Sequence, residues 1–517
     1  MNMVVEETKG RLIIVDPSLK DTRGHHYALT RVIVNSAIGS GFQVLVLSNK
    51  STDGALQIAG ARVRPVFSKA TYDYFTPGNK NRKVSLKQKL HQFVSLRSPE
   101  SLKVILRRQR ERFKKVRIRL GGSTGAKNLV AVGNLHDELL NALVEEKVSD
   151  VGHVLVHTTD GMMYRAILQL LQTKYPLGGY PSFHLCTPYD MRVMPHLANG
   201  LPIDRVIGYL DKMDFINRKV FLYAENELLA KSLTSAWGVD VSTLDIPMKK
   251  IALQAGAGPA VDGVFRVVYL GAAREEKGFH LIPDVIEAVL NKIGKTQPVE
   301  FIIQCSPQIV GYTRKIEEVI ERLKSFSGGQ VRLIQQQQSE DDYYSVLESA
   351  DVVLCCYQQQ SYQVRGSGIA TEAVAYGKTL ITTPGTYPEW LAGDAGFSAN
   401  GSRDIAEAII SIIKNREKCK IKANERAEWF AERTRPDEYV NKLLAREKVA
   451  RNIPGLVDKR PLAKSTQVSV KEVVTAKSHA GAKDEDATGC ENKYNHTLSE
   501  AVTSSDGKIL FIKQISK

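Results

Sequence analysis

Short apolar runs alternate with longer amphipathic stretches along most of the chain. In the C-terminal half the apolar runs lie at 267–270, 301–305, 331–335, 350–357 and 379–383, and in the N-terminal half they lie at 12–16, 44–47, 154–157, 183–187 and 221–224. Such alternation of buried strands with helical periodicity is typical of βαβ units. The pattern therefore predicts an α/β protein with two Rossmann-like domains, each built on a parallel sheet.

A stretch of small residues at 252–263 interrupts this alternation, and we place the domain boundary there. Beyond residue 454 the composition changes to Ser, Thr, Lys, Ala and acidic residues, and aromatic residues nearly vanish. Such a segment cannot bury enough apolar surface to fold, so we expect it to be mostly disordered. The predicted divisions are an N-terminal domain (1–250), a linker (251–264), a C-terminal domain (265–435), a terminal helix (436–454) and a disordered tail (455–517).

The loop between the apolar runs 350–357 and 379–383 has the composition of an anion site. Ser367 is a natural helix N-cap, and the glycines on either side of it let backbone N–H groups approach a ligand closely at the positive end of a helix dipole. Arg365 stands just before this turn. Glu372 lies in the second helical turn, where its carboxylate can accept hydrogen bonds from a sugar or ribose hydroxyl. This composition predicts that the loop binds a phosphate and a polyol side by side.

A second loop follows the apolar run 267–270. Gly271 ends the strand, and Arg274 and Lys277 then project from the carboxyl end of the predicted sheet, where ligands bind in open α/β sheets. Two cations at this place suit a diphosphate. The alternative is an Arg-x-x-Lys pair on a solvated surface.

The two loops, taken in this order and with a Ser-x-x-Asp capping box at 339–342 between them, resemble the nucleotide-sugar half of glycosyltransferase family 4. The resemblance is clear over about 262–430 and weaker over about 10–250. It implies the two-domain GT-B fold and transfer of a sugar from a nucleoside-diphosphate sugar with retention at the anomeric carbon. It also implies that the terminal helix crosses back to the first domain. No Asp-x-Asp motif suggests a divalent cation, so we expect no metal and no other cofactor.

One position departs from the commonest form of the family's second motif, which carries two glutamates separated by seven residues. Glu372 matches the second glutamate, and Val364 occupies the place of the first. The chain is similar to branches of the family that read Arg-x-Ser-Gly before Glu-Ala, and Arg365 or Gln363 is the candidate substitute for the missing carboxylate. The alternative is an inactive relative that keeps the fold.

The resemblance also assigns roles to residues. The diphosphate would lie between the two cations and the glycine-rich turn, and Glu372 would bond the ribose of the nucleotide. A histidine near the end of the run 154–157 contacts the donor sugar in the family, which points to His157; the alternative is a histidine that only caps a strand end. The predicted catalytic residues are His157, Arg274, Lys277 and Glu372. The predicted donor-binding residues are Gly24, Arg274, Lys277, Arg365, Gly366, Ser367, Gly368 and Glu372.

The candidates for the acceptor side lie in the N-terminal half. The polar loop after the run 12–16 occupies the place of a glycine-containing family loop that faces the donor phosphates and the acceptor, so Gly24 and His25 are candidates there. Asp190 and Arg192 follow the run 183–187 and would orient an acceptor hydroxyl, although a turn-forming aspartate explains the pattern equally well.

Charge adds one further feature. The formal net charge of the 517 residues is +15, and positions 107–119 carry eight basic residues and one acid. We expect a basic helical insertion over about 82–121 whose segment from Arg107 to Arg119 contacts an anionic membrane or a lipid-linked acceptor. The alternative is a solvated basic surface. No nucleic-acid-binding signature accompanies the charge, so we expect no nucleic-acid partner.

The remaining composition bears on location and on competing functions. The N-terminus lacks the pattern of a signal peptide, and no run is long enough to span a bilayer, so we expect a cytoplasmic protein that can lie peripherally on the membrane's inner face. The cysteines fall mostly in apolar runs and should be buried thiols. The alternatives to a transferase are a non-catalytic sugar-nucleotide-binding protein that docks on membranes, a nucleotide-sugar epimerase and a sugar phosphorylase.

Overall fold

The computed structural model describes residues 10–22, 24–70, 124–192, 203–248, 263–293, 297–305, 313–326, 329–336 and 338–451. The predicted basic insertion, most of the predicted linker and the predicted disordered tail lie outside these residues.

The N-terminal part of the chain forms a seven-stranded parallel sheet with the order β3-β2-β1-β4-β5-β6-β7. Its strands are β1 (Arg11–Val15), β2 (Gln43–Asn49), β3 (Ala61–Phe67), β4 (His153–Val156), β5 (Ser182–Thr187), β6 (Val220–Ala224) and β7 (Val241–Thr243). The helices described here are α1 (Gly24–Gly39), α2 (Thr124–Glu145), α3 (Gly161–Gln172), α4 (Ile203–Lys212) and α5 (Glu227–Trp237).

The C-terminal part forms a six-stranded parallel sheet with the order β10-β9-β8-β11-β12-β13. Its strands are β8 (Phe265–Tyr269), β9 (Val299–Gln304), β10 (Val331–Ile334), β11 (Val352–Cys355), β12 (Thr379–Thr382) and β13 (Phe397–Ser398). The helices described in this part are α6 (Ile282–Ile293), α7 (Arg314–Lys324), α8 (Glu340–Ser349), α9 (Gln359–Tyr362), α10 (Gly368–Ala375), α11 (Tyr387–Ala392), α12 (Ser402–Lys414), α13 (Arg416–Arg433) and α14 (Pro436–Arg451).

Burial explains why these segments are strands. Every residue of β4, β5, β6, β11 and β12 is buried. A parallel sheet covered by helices on both faces requires continuous apolar runs of this kind, rather than an alternation of apolar and polar residues. The prediction of an α/β protein with two parallel sheets is confirmed.

Each sheet has one point at which the order of strands reverses. In the N-terminal sheet this switch point lies between β1 and β4, and in the C-terminal sheet it lies between β8 and β11. The loops that follow adjacent strands diverge there and leave a crevice at the carboxyl edge of the sheet, which is where α/β proteins bind ligands. Four of the loops that the sequence analysis identified follow β1, β4, β8 and β11. Each of them therefore begins at one of these two switch points.

Helix α14 packs on the N-terminal domain. Tyr439, Val440 and Leu443 belong to a buried cluster that includes residues of β1 and α1. The guanidinium of Arg446 donates to the Leu222 carbonyl oxygen and to the Asp240 carboxylate, the latter at 2.7 Å. The end of the described chain is therefore attached to the domain in which the chain begins.

The close approach of Gly278 to a neighbouring strand end allows a local test of this fold. It has φ +74°, and an added Cβ would collide with the carbonyl oxygen of Cys356, the residue that follows β11. Gly238 is a matched control, because it has φ +68° but no heavy atom within 4 Å of an added Cβ. We expect Gly238→Ala to cost about 1 kcal/mol through backbone strain alone and Gly278→Ala to cost about 3 kcal/mol or more. Thermal unfolding of the full chain measures both, and equal losses would contradict the close approach at Gly278.

Candidate functional site

The loop after β8 is held tightly at the carboxyl edge of the sheet. Gly271 has φ +93°, and its N–H donates to the Gln304 side-chain oxygen at 2.6 Å. A 3₁₀ turn, Glu275–Lys277, then directs Lys277 back over Gly271, so that an added Cβ on this glycine would lie 3.1 Å from Lys277 Nζ. The turn therefore fixes where the ammonium group lies.

Lys277 is a half-buried cation that makes no hydrogen bond or ion pair with any described residue. Burial, together with the neighbouring charges of Arg274 and Arg365, lowers the pKa of Lys277 to about 8, and the charge of Glu276 opposes the fall. Its Nζ lies 5.4 Å from the centre of the Tyr357 ring. We call Arg274, Lys277 and Arg365 the cation cluster. Within it, Arg274 has one carboxylate partner, Glu276, at 3.1 Å.

The glycine-rich turn, residues 366–368, leads into α10 beside this cluster. Ser367 is the N-cap, and its Oγ accepts a hydrogen bond from the N–H of Ala370 at 3.3 Å, which confirms the predicted cap. The Ser367 hydroxyl also donates to Tyr357 Oη at 3.2 Å. An added Cβ on Gly368 would meet no heavy atom within 4 Å, so the first residue of the helix faces open space. The positive end of α10 and the cation cluster thus share one crevice.

Glu372 lies one turn further along α10. It accepts a hydrogen bond from the hydroxyl of Tyr343 on α8. Burial raises the pKa of Glu372, and the Tyr343 hydrogen bond and the charge of Lys277 oppose the rise. Ser339 caps α8, with the Asp342 N–H donating to Ser339 Oγ at 3.1 Å, and the Asp342 carboxylate accepts from the Ser339 hydroxyl at 2.6 Å rather than from the backbone N–H that a full capping box would use. No sequence pattern indicates that Tyr343, in the next position, orients Glu372.

The loop before α10 contacts the N-terminal domain. The carbonyl oxygen of Val364 accepts a hydrogen bond from Asn226 Nδ2 at 3.1 Å, and the Val364 side chain packs against the N-terminal core. An added Cβ on Gly366 would overlap the carboxylate of Glu225. Glu225 and Asn226 follow β6, so the ends of strands from both domains meet here.

At the N-terminal switch point, Asp16 follows β1 and His157 follows β4. Asp16 Oδ2 lies 3.2 Å from His157 Nε2 and accepts from the Thr30 hydroxyl at 3.1 Å, and Asp16 Oδ1 lies 2.9 Å from His26 Nδ1. Burial tends to raise the pKa of Asp16, but the charges and hydrogen bonds of His157 and His26 outweigh it and hold the pKa well below its ordinary value. The carboxylate is therefore ionised and fixes the ring of His157.

His157 is only 3% exposed, and its Nδ1 lies 3.0 Å from Thr158 Oγ1. Both ring nitrogens of His157 thus have protein partners, and its contact with a donor sugar stays a prediction. No sequence pattern pointed to its partner Asp16, although a polar residue directly after a buried strand is the available signal.

The acceptor-side candidates occupy two other places. Gly24 is the first residue of α1 and His25 is the second, so both stand at the start of the helix that follows β1. Arg192 donates twice to the Asp190 carboxylate, at 2.9 and 2.6 Å, and once to the Ser232 hydroxyl of α5 at 2.9 Å. This pair ties the turn after β5 to α5, and its role toward an acceptor stays a prediction.

Two properties of the described residues concern cofactors and membranes. The described residues contain no group of three or more His, Cys, Asp or Glu side chains arranged to hold a metal ion. Among the helices described above, none combines the length and the apolar character needed to cross a bilayer.

No protein-family model matches the chain, and no curated protein matches it. Several solved structures are similar to the chain. Sucrose-phosphate synthase from Thermosynechococcus elongatus has a TM-score of 0.53 and 12% identity, over 86% of this chain and 100% of that chain. An α,α-trehalose-phosphate synthase (UDP-forming) from Burkholderia xenovorans in complex with glucose-6-phosphate has a TM-score of 0.57 and 10% identity, over 85% and 100%.

A structure named trehalose-6-phosphate from E. coli, bound with UDP-2-fluoro glucose, has a TM-score of 0.54 and 13% identity, over 85% of this chain and 99% of that chain. At such identities the likeness concerns the fold. The chain has the GT-B fold, with two parallel-sheet α/β domains, as the sequence predicts.

The burial of Lys277 predicts an effect on stability. Its pKa of about 8 in the folded chain lies below the ordinary value of 10.5, so a protonated Lys277 disfavours folding at pH 7. The penalty is complete below pH 8 and disappears as the pH rises toward 10.5. We expect Lys277→Met to raise the thermal midpoint at pH 7 by about 1–3 °C without ligand, and this gain should shrink above pH 8.

Lys292→Met is the control for that measurement, because Lys292 is exposed and pairs only with Glu407 on the surface. It should leave the midpoint nearly unchanged at both pH values. A lower midpoint for Lys277→Met at pH 7 would mean that the ammonium group has a stabilising partner.

Proposed function

We propose that this chain is a retaining glycosyltransferase of the family 4 type, which transfers a sugar from a nucleoside-diphosphate sugar to a polysaccharide, lipid-linked or sugar-phosphate acceptor. The observation that carries the proposal is the half-buried ammonium of Lys277, which forms no ion pair with any carboxylate of the described residues. Placing such a charge beside two guanidinium groups is unfavourable unless an anion binds there.

The shape of the crevice favours a diphosphate as that anion. The cation cluster supplies three positive charges, and α10 adds N–H groups and the positive end of its dipole at Gly368. Glu372 lies further along the same helix, where a carboxylate oriented by Tyr343 is placed to accept hydrogen bonds from ribose hydroxyls. Phosphate and ribose contacts in this order suit a nucleoside diphosphate.

The same groups account for catalysis. When the bond between the anomeric carbon and the diphosphate oxygen breaks, negative charge builds on the departing oxygen. Arg274 and Lys277 are proposed to stabilise this charge more in the transition state than in the ground state. The acceptor oxygen forms the new bond on the same face of the sugar, and its proton passes to the departing phosphate. His157, held by Asp16, is proposed to contact the sugar from the N-terminal domain. Two fixed cations take the place of a metal ion.

The structural neighbours indicate which ligands to test first. One of them is bound with UDP-2-fluoro glucose, and another is a UDP-forming synthase in complex with glucose-6-phosphate. A UDP-sugar donor and a sugar-phosphate acceptor therefore belong in the first panel. We place the reaction in the cytoplasm, and membrane contact through the basic segment from Arg107 to Arg119 is part of the proposal.

The proposal is tested with UDP-, GDP- and ADP-sugars on the wild type, Arg274→Ala and Glu372→Ala. We expect one nucleotide to raise the thermal midpoint of the wild type and its sugar to be turned over. Both substitutions should reduce this activity about 100-fold or more, because each removes a charge-assisted contact in a partly buried site. Thermal shift and release of the nucleoside diphosphate are the measurements.

Arg403→Ala and Glu407→Ala are matched controls, since both residues are exposed on α12, which follows the edge strand β13, and they pair with each other. They should behave like the wild type. If no nucleotide binds, the assignment of the phosphate site is wrong. If a nucleotide sugar binds but neither hydrolysis nor transfer to mixed acceptors follows, the chain is a non-catalytic sugar-nucleotide-binding protein.

A further inference from the structure

Glu225 lies in the cleft, on the domain opposite the cation cluster. It follows β6 directly, and its carboxylate occupies the place where a side chain on Gly366 would lie. The next residue, Asn226, caps α5 and donates a hydrogen bond to the Val364 carbonyl oxygen. The Glu225 carboxyl group is therefore held against the glycine-rich turn by the contact between the domains.

This carboxyl group has no hydrogen bond or ion pair with any residue that the structure describes. Burial raises the pKa of Glu225 to about 8, and the charge of Arg365 opposes the rise. Glu225 is half-buried, so it keeps exposed surface that a ligand can reach. Such a ligand can supply the hydrogen-bond donors that the described residues do not.

The chemistry of the carboxyl group indicates which part of a nucleotide sugar it can contact. Hydroxyl donors from a ligand favour the ionised form of Glu225 and lower its pKa, and an ionised carboxyl group repels phosphate, so the diphosphate belongs on the cation side of the turn. The part of a nucleotide sugar that extends from the diphosphate is uncharged and rich in hydroxyl groups, which are hydrogen-bond donors. Two carboxylate oxygens can accept from two neighbouring hydroxyls of a sugar ring.

We propose that Glu225 contacts the substrate: its carboxylate accepts hydrogen bonds from hydroxyl groups of the sugar that the diphosphate carries. The inference rests on the proposed function and adds the sugar subsite to it. The cations that hold the diphosphate come from the C-terminal domain, and the carboxylate that holds the sugar comes from the N-terminal domain. Val364, which lies two residues before Gly366, cannot supply a carboxylate itself and instead packs on that domain.

The test compares a nucleoside diphosphate with its sugar-bearing form. Dissociation constants for UDP and UDP-glucose, with the GDP and ADP pairs alongside, are measured by calorimetry on the wild type, Glu225→Gln and Glu225→Ala. We expect the affinity for the sugar-bearing form to fall about 10- to 100-fold in Glu225→Ala, whereas the affinity for the free diphosphate changes less than about twofold. The isosteric Glu225→Gln keeps the shape and should show a smaller loss in the same direction.

Asp211→Asn is the control for charge, because Asp211 is an exposed residue of α4 in the same domain. It should bind both ligands like the wild type. Equal losses for the free and the sugar-bearing nucleotide would show that Glu225 only joins the domains, and equal affinities for all variants would show that it is not in the site. Either result overturns the inference while leaving the proposed function intact.

A double-mutant cycle tests the contact itself. Gly366→Ala should lower the affinity for the sugar-bearing form in the wild type, because the added methyl group displaces the Glu225 carboxylate. In Glu225→Ala the same substitution should have little further effect. Additive losses would contradict the proposed arrangement. If the wild type binds none of the nucleotides, the proposed function itself fails, and the inference fails with it.

Discussion

The half-buried ammonium of Lys277, which has no carboxylate within ion-pair distance among the described residues, is the constraint on which the proposed site depends. The folded chain bears an electrostatic cost there, and local geometry keeps the group in place: Gly271 and Gly278 adopt positive φ values that bring the turn close to the sheet. The positive end of α10 faces the same crevice. A structure that concentrates positive charge in this way is organised to receive an anion, and its stability without that anion is lower than it could be.

The elements that carry this site could be predicted because their causes are local. Continuous apolar runs specify buried parallel strands, and residues that follow those runs must lie at the carboxyl edge of a sheet. Ser367 and Ser339 cap the helices that the sequence indicated, since an N-cap bond joins residues only three positions apart. The fold class and the meeting of the two C-terminal loops therefore followed from the sequence pattern.

Contacts between distant residues could not be predicted in this way. Asn226 and Val364 are separated by 138 positions, and single polar residues after a strand belong to no periodic pattern. The bond from Tyr343 to Glu372 and the pairing of Asp16 with His157 have the same character. Such contacts depend on how strands are ordered in a sheet and how two domains face each other, and a single sequence does not encode these arrangements in any short motif.

The glycine-rich turn has neighbours in both domains. On one side the turn leads into α10 and faces the cation cluster, and on the other side Val364 and Gly366 lie against Asn226 and Glu225. Separation of the domains would break the Asn226 bond and withdraw Glu225 from the turn, whereas the cation cluster would stay intact because all three cations belong to the C-terminal domain. In the proposed arrangement a nucleoside diphosphate therefore needs only one domain, but a contact to its sugar needs both. The proposal thus makes the sugar, rather than the nucleotide, the part of the donor that favours a closed cleft.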